Sequence, residues 1–192
     1  VGATAAFATG STITLDGKEY SDAQTVTVKK VYKLEGNGSN AKETFTLAQV
    51  GNGVVKSGDA TSAPELGTIT GATFEAGTAT AEGVTGNITI ALPEYTKVGV
   101  YEYTLQEVST NKFAGVSYFE GSIKLVVSVV NGTNGQLRVA AVHTEGYDAQ
   151  GNYLGAKSDT FTNTYSANSI AVTKTVEGNL GDNCLLYTSD AA

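Results

Sequence analysis

Apolar and polar residues alternate along most of this chain with a period of two residues. That period is typical of β-strands that bury one face, whereas a helical period is nearly absent. The alternation predicts eight strands, at residues 25–34, 44–50, 67–74, 87–92, 99–108, 122–130, 137–143 and 159–165.

Turn-forming residues separate the predicted strands. Glycine and asparagine cluster at 36–38, 51–53 and 131–135, where they favour tight changes of chain direction. Residues 51–64 have no clear period and predict a long surface loop. Short strands at this spacing favour an all-β fold, an Ig-like antiparallel β-sandwich made of two sheets.

Three predicted strands carry a polar residue on an otherwise apolar face. Lys30 continues a stripe of valines, and Glu107 continues a stripe of tyrosine and leucine. Asn163 lies between Phe161 and Tyr165 on its face. If these faces point inward, each polar group is buried and needs a partner. The alternative is that each side chain lies at a strand end and reaches water.

Composition excludes several classes of function. The net charge is −7, and the 12 Lys and Arg residues are scattered, so neither nucleic acid nor an anionic membrane is an expected partner. His143 is the only histidine, which argues against a histidine triad or a multi-histidine metal site. The only cysteine is Cys184, so disulfides and thiol catalysis are not expected either. No cofactor and no metal ion are expected.

The chain divides into one large domain with short flanking segments. Residues 1–8 are small and apolar and fit the end of a signal peptide, which indicates export. The alternative is a small-residue N-terminal tail. Residues 184–192 are similar to a translated sequencing adapter and are treated as a non-native tail. Between them we assign a sandwich domain at 9–165, a linker at 166–169, and the first strand of a second, similar domain at 170–183.

Four strings in this order resemble the isopeptide-linkage domain of streptococcal-type T-antigen major pilins, over about residues 25–165. They are Thr25-Val-Thr-Val-Lys-Lys-Val31, Gly99-Val-Tyr-Glu-Tyr-Thr-Leu-Gln-Glu-Val108, Gly115-Val-Ser-Tyr118 and Phe161-Thr-Asn-Thr-Tyr165. The resemblance implies an amide bond between the side chains of Lys30 and Asn163, with Glu107 as the catalytic acid. Lys174 would be the corresponding lysine of the second domain.

The implied chemistry suits buried groups. Burial favours the neutral amine of a lysine, which is a competent nucleophile, and it also favours a protonated carboxyl that can shuttle a proton. Folding supplies the proximity, so the reaction is a single-turnover self-modification and the protein is not expected to be an enzyme. Lys29 is the competing amine, but it shares its face with Thr27 and Val31, so we expect it to point outward.

The resemblance implies a structural subunit of a sortase-assembled Gram-positive pilus, located at the cell wall and surface. Its partners would be other pilin subunits, joined through Lys157, which precedes the last predicted strand. The alternative is that Lys157 is one more solvated surface lysine. A second hypothesis is a stalk module of a cell-wall-anchored adhesin, and a third is an exported hydrolase with an accessory sandwich domain. The adhesion ligand is not readable from the sequence.

Overall fold

The structure is a computed structural model, and it describes residues 12–15, 18–21, 24–109, 112–132, 135–154 and 160–166. Within these ranges the regular elements are strands. They are β1 (Thr12–Leu15), β2 (Lys18–Ser21), β3 (Thr25–Glu35), β4 (Glu43–Gln49), β5 (Val54–Gly58), β6 (Ile69–Thr70), β7 (Ala72–Phe74), β8 (Val84–Ala91), β9 (Gly99–Ser109), β10 (Val116–Ser117), β11 (Ser122–Asn131), β12 (Leu137–Tyr147) and β13 (Thr160–Ser166). None of these residues forms a helix long and apolar enough to cross a membrane.

The strands form two large sheets and one hairpin. The first sheet has the order β10-β13-β3-β8-β6, and the second has the order β12-β11-β9-β4-β7, with β5 also pairing with β9. The hairpin consists of β1 and β2. The two large sheets bury their inner faces against each other, which confirms the predicted all-β sandwich.

The core follows directly from the alternation within each strand. In β3 the residues Val28, Lys30 and Tyr32 are buried, while their chain neighbours Lys29 and Lys33 are exposed. In β9 and β11 every second residue is buried over most of the strand. Because side chains on a strand alternate between its faces, one polar residue in register with apolar neighbours is carried into the core with them.

One pairing differs from the predicted antiparallel sandwich. β13 runs parallel to β3, whereas the other strand pairs among the described residues are antiparallel. Parallel neighbours need a long crossover connection, and here almost the whole domain lies between the two strands. The hydrophobic pattern of a strand does not encode the direction of its neighbour, so this pairing could not be predicted.

The structure corrects several predicted boundaries. The predicted loop at 51–64 contains β5, whose mostly exposed residues give it little apolar signal. The predicted strand at 67–74 is split at Gly71 into β6 and β7, which belong to different sheets. A Cβ at Gly71 would lie 2.8 Å from the Phe45 carbonyl oxygen, so the chain crosses between the sheets where only glycine fits. The strand predicted at 137–143 continues to Tyr147, and β1, β2 and β10 were not predicted.

Two valines of β11 test how much the core contributes to stability. Val127 is 0% exposed and Val130 is 38% exposed, so Val127→Ala should leave a cavity, whereas Val130→Ala removes methyl groups that water already contacts. We expect Val127→Ala to lower the free energy of unfolding by about 2 kcal/mol. Val130→Ala should change it by less than about 0.5 kcal/mol. Urea denaturation measures both, and equal losses would contradict this assignment of faces.

Candidate functional site

Lys30 lies in the core of the sandwich. It is 1% exposed, and strand β3 carries it inward between Val28 and Tyr32. Its Nζ atom lies 5.4 Å from the centroid of the Phe45 ring. An amine in such a place has lost most of its hydration, so it must be paired or neutral.

Asn163 lies beside Lys30 because of the parallel pairing of β13 with β3. The register places Phe161 opposite Lys30 and Asn163 opposite Tyr32, so Lys30 and Asn163 are diagonal neighbours on the same face of the sheet. Asn163 is fully buried, and Lys30 Nζ donates a hydrogen bond of 2.7 Å to Asn163 Oδ1. The amine thus lies in direct contact with a carboxamide from a strand far away in sequence.

Glu107 reaches the same point from the opposite sheet. Its side chain is 4% exposed, and β9 carries it inward after Tyr103 and Leu105. Its Oε2 atom accepts a hydrogen bond from Lys30 Nζ, and its Oε1 atom accepts one of 2.6 Å from Asn163 Nδ2. One carboxyl group therefore contacts the amine through one oxygen and the carboxamide nitrogen through the other.

The electrostatics of Lys30 are dominated by burial. Loss of hydration lowers the pKa of Lys30, while the attraction of Glu107, its hydrogen bond and the weaker attraction of Glu43 act in the opposite direction. Burial is the largest of these effects, so the neutral amine is favoured relative to an exposed lysine. A neutral amine is the nucleophilic form.

Aromatic rings enclose the polar groups on one side. Tyr32, Phe45 and Phe74 pack edge to face, with ring centroids 5.1 to 5.7 Å apart. Tyr118 packs against Phe45 at 6.1 Å. Edge-to-face packing of this kind fills space densely and excludes water, which strengthens each electrostatic contact inside the site.

Gly115 explains one of the strings singled out in the sequence. Its φ angle is +81°, and a Cβ there would lie 3.0 Å from the Ser166 carbonyl oxygen and 3.3 Å from the Tyr165 ring. The Gly115 carbonyl accepts a hydrogen bond of 2.9 Å from Ser166 N. Glycine thus lets the chain approach β13 closely, and the pairing of β10 holds β13 at its outer edge.

Glu43 is a second buried acid that the sequence reasoning missed. It is 1% exposed, and its Oε1 atom accepts hydrogen bonds from the hydroxyls of Ser109 and Tyr118. The signal was present in the alternation, because Glu43 lies two residues before Phe45 and four before Leu47. The predicted strand began one residue later, at Thr44, and so left Glu43 out.

A cavity of about 160 Å³ adjoins Glu107. Its lining includes Ser109, Tyr118 and Phe119, together with the exposed side chains of Gln106 and Lys112. The Phe119 backbone N–H also donates to Glu107 Oε1 at 3.4 Å. The cavity thus lies between the buried carboxyl of Glu107 and residues that are exposed at the surface.

Other candidates from the sequence lie elsewhere. Lys29 is exposed, as the alternation predicts. Lys157 and Lys174 lie outside the described residues. His143 is half-buried, and its Nε2 atom contacts Glu145 Oε1 at 3.0 Å on β12. Within the part of the chain that the structure describes, no group of three or more metal-ligating side chains occurs.

The arrangement can carry out a transamidation. It brings a nucleophilic amine, an acceptor carboxamide and a bridging acid together. These three groups, contributed by the two sheets of a β-sandwich, place the domain in the class that carries an isopeptide site.

Comparison with known proteins agrees with this class. The model of the FctA family, described as a Spy0128-like isopeptide containing domain, matches residues 26–166. The match covers more than half of the chain, and the chain belongs to this family. The resemblance noted in the sequence is thereby confirmed. No curated protein sequence matches the chain.

Crystal structures of the major pilin from Streptococcus pyogenes share the fold. The pilin itself matches with 22% sequence identity and a TM-score of 0.53. Its Asn-to-Ala and Glu-to-Ala variants match with 24% and 21% identity and TM-scores of 0.51 and 0.52. Each match covers 74% of this chain and 50% of the pilin chain, so this chain spans about half the length of that pilin.

The lowered pKa of Lys30 predicts a pH-dependent stability when the carboxamide is removed by Asn163→Ala. The ordinary pKa is 10.5, and burial makes the folded chain release this proton at a lower pH than the unfolded chain does. At pH values between the lowered pKa of the folded chain and the ordinary pKa of the unfolded chain, the unfolded chain binds more protons. The free energy of unfolding should therefore rise with pH in this interval. Below that interval both states are protonated, and the full destabilisation by Lys30 is present.

Urea denaturation across this pH range measures the effect. The Asn163→Ala/Lys30→Met double variant is the control, because it keeps every other titrating group. Subtracting its values leaves the contribution of Lys30 together with its interaction with Glu107 and Glu43. A difference that stays flat or falls with increasing pH would contradict the lowered pKa.

Proposed function

We propose that this chain is part of a shaft subunit of a Gram-positive pilus, and that it stabilises itself with an amide bond between Lys30 and Asn163. The observation that carries the proposal is the mutual contact of Lys30, Glu107 and Asn163 in the core. Membership of the isopeptide domain family supports the chemistry. The structural likeness to a streptococcal major pilin supports the sandwich that holds it.

The proposed reaction balances without any co-reactant. The neutral amine of Lys30 attacks Asn163 Cγ, so that an Nζ–Cγ bond forms and the Cγ–Nδ2 bond breaks. The Oε2 atom of Glu107 takes a proton from Lys30 Nζ, and its Oε1 atom delivers a proton to Asn163 Nδ2. Ammonia then leaves. The protein supplies proximity and orientation, which are the largest rate factors available to a reaction within one chain.

The position of the bond suits a subunit that carries load. β3 and β13 begin and end the part of the chain that forms the two large sheets, and they lie side by side. A covalent link between them lets a pulling force pass from one strand to the other without unfolding the residues between. By analogy with a disulfide that closes a loop of this size, 133 residues, the crosslink adds roughly 5 kcal/mol of stability.

In this proposal the subunits are joined to one another by sortase through Lys157, and the product is located at the cell wall and surface. Lys157 precedes β13 in the sequence. A linking lysine must enter the active site of another protein, and connecting segments meet that demand better than strands. Lys174 is proposed as the equivalent of Lys30 in a second, similar domain.

Intact mass tests the intramolecular bond. The purified chain should be lighter than its sequence mass by one ammonia, and peptide mapping should join Lys30 to Asn163. Lys30→Arg and Glu107→Ala should each restore the full mass, since one removes the nucleophile and the other the proton shuttle. Lys29→Arg is the matched control and should retain the loss of ammonia. An unmodified mass in a well-folded wild-type chain would refute the bond.

The same peptide map should show Lys174 as an unmodified lysine.

Co-expression of the full-length protein with its cognate sortase tests the linkage site. Lys157→Arg keeps the charge but removes the amine, so ladders of covalent polymers should disappear from denaturing gels. Lys42→Arg is the control, because Lys42 lies on the surface with its side chain 63% exposed. Unchanged ladders in the Lys157→Arg variant would show that another lysine is used.

A further inference from the structure

Glu43 is a buried acid for which the proposed crosslinking reaction has no role so far. Burying a carboxyl group is costly unless it is well paired, yet Glu43 is 1% exposed. Both of its strong contacts involve Oε1, through the hydroxyls of Ser109 and Tyr118. Its Oε2 atom has no hydrogen bond of normal geometry among the described residues.

The two residues that donate hydrogen bonds to Glu43 are close to Glu107 along the chain or next to a residue that contacts it. Ser109 follows Glu107 by two residues on β9. Tyr118 directly precedes Phe119, whose backbone N–H donates to Glu107. Both residues that hold Glu43 also line the cavity that adjoins Glu107. Glu43 and Glu107 therefore belong to one connected polar cluster in the core.

Glu43 is linked by hydrogen bonds to residues that flank the acid, and both acids belong to the same sheet. β4 and β9 are neighbours in one sheet, with Leu47 opposite Glu107 and Phe45 opposite Ser109. Glu43 and Glu107 thus extend inward from adjacent strands of the same sheet, whereas Lys30 belongs to the other sheet. The electrostatic effect of Glu107 on Glu43 is correspondingly larger than that of Lys30.

We propose that Glu43 is a positioning residue of the crosslinking site, whose carboxylate favours transfer of the Lys30 proton to Glu107. This inference rests on the proposed Lys30–Asn163 bond. The proton moves from Lys30 Nζ to Glu107 Oε2, and no other atom or electron is exchanged. The transfer converts an ammonium and a carboxylate into a neutral amine and a protonated carboxyl group, which is the pair that the reaction needs.

The physical reason is that Glu107 and Lys30 affect Glu43 unequally. In the ion-paired arrangement, Glu107 adds a second negative charge beside Glu43 in an interior of low polarity. Like charges on neighbouring buried carboxyl groups disfavour one another, as in a pair of acids that share one proton. Moving the proton onto Glu107 relieves this repulsion, and it costs only the weaker attraction between Glu43 and Lys30.

The groups around Glu43 determine the direction in which its pKa is shifted. Burial raises the pKa of Glu43, while the hydrogen bonds from Ser109 and Tyr118 favour its charged form. Tyr32 and Tyr118 both have a raised pKa, chiefly through burial, and they stay neutral at ordinary pH. Among the described residues, the charged groups that act on Glu43 are Glu107 and Lys30. Lys112 lies beyond Tyr118, with its Nζ 5.5 Å from the Tyr118 ring centroid. Crosslinking should therefore accelerate as pH rises through the raised pKa of Glu43.

The rate of ammonia loss during folding tests this role. The chain is synthesised in vitro and kept in denaturant, where the three reacting groups do not meet, and is then diluted into buffers of increasing pH. Circular dichroism reports folding, and intact mass reports the bond. Glu43→Gln keeps the shape and can accept both hydroxyls, but it has no charge.

We expect Glu43→Gln to fold at the wild-type rate and to form the bond roughly tenfold more slowly near neutral pH, as one lost charge in a partly screened interior predicts. In this variant, the rate of bond formation should no longer rise with pH through the pKa of Glu43. Glu75→Gln is the control, because the Glu75 side chain is 63% exposed and should leave rate and pH profile unchanged.

Tyr118→Phe provides a second variant if Glu43→Gln does not fold. It removes a donor that favours the charged form of Glu43, so the acceleration should move to higher pH. Wild-type rates and pH profiles in both variants would overturn the role of Glu43 and leave the bond intact. A wild-type chain that folds without losing ammonia would instead overturn the proposed crosslink itself.

Discussion

A lysine amine in the core of a β-sandwich is the constraint on which the rest of this structure depends. Lys30 has lost its water, and only Glu107 and Asn163 supply polar contacts to its Nζ atom among the described hydrogen bonds. Removing water from a charge costs several kcal/mol, and a partial set of partners would not offset that cost. The three residues are therefore best understood as one unit, in which each polar group is tolerable because the other two are present.

That unit imposes requirements on the topology. Asn163 can reach Lys30 only because β13 lies parallel to β3 in a register that makes the two residues diagonal neighbours. Glu107 can reach both only because β9 lies in the facing sheet. Gly115 contributes by allowing the chain to pack tightly against the end of β13. The site is thus built from positions far apart in sequence, and the fold must be nearly complete before its parts meet.

Glu43 extends the unit into a larger polar cluster. A sandwich core gains most of its stability from apolar burial, and two buried acids near one amine reduce that gain. Such a cost is common where a protein needs reactive groups, because the same low polarity that penalises a charge also makes its electrostatic effects strong. The aromatic rings of Tyr32, Phe45 and Phe74 maintain that low polarity around the cluster.

The sequence alone determined which side chains share a face of a strand. Alternation placed Lys30 and Glu107 on the apolar faces of their strands and Lys29 on the opposite face of its strand, and it predicted a sandwich as the general architecture. It left open whether the polar groups are buried and whether they meet, and only the four motif strings pointed to that. The parallel direction of β13, the diagonal register of Asn163 and the approach of Glu43 were decided by tertiary structure alone. The physical reason is that side-chain alternation is a local property of each strand, whereas strand order, direction and register depend on how whole sheets pack.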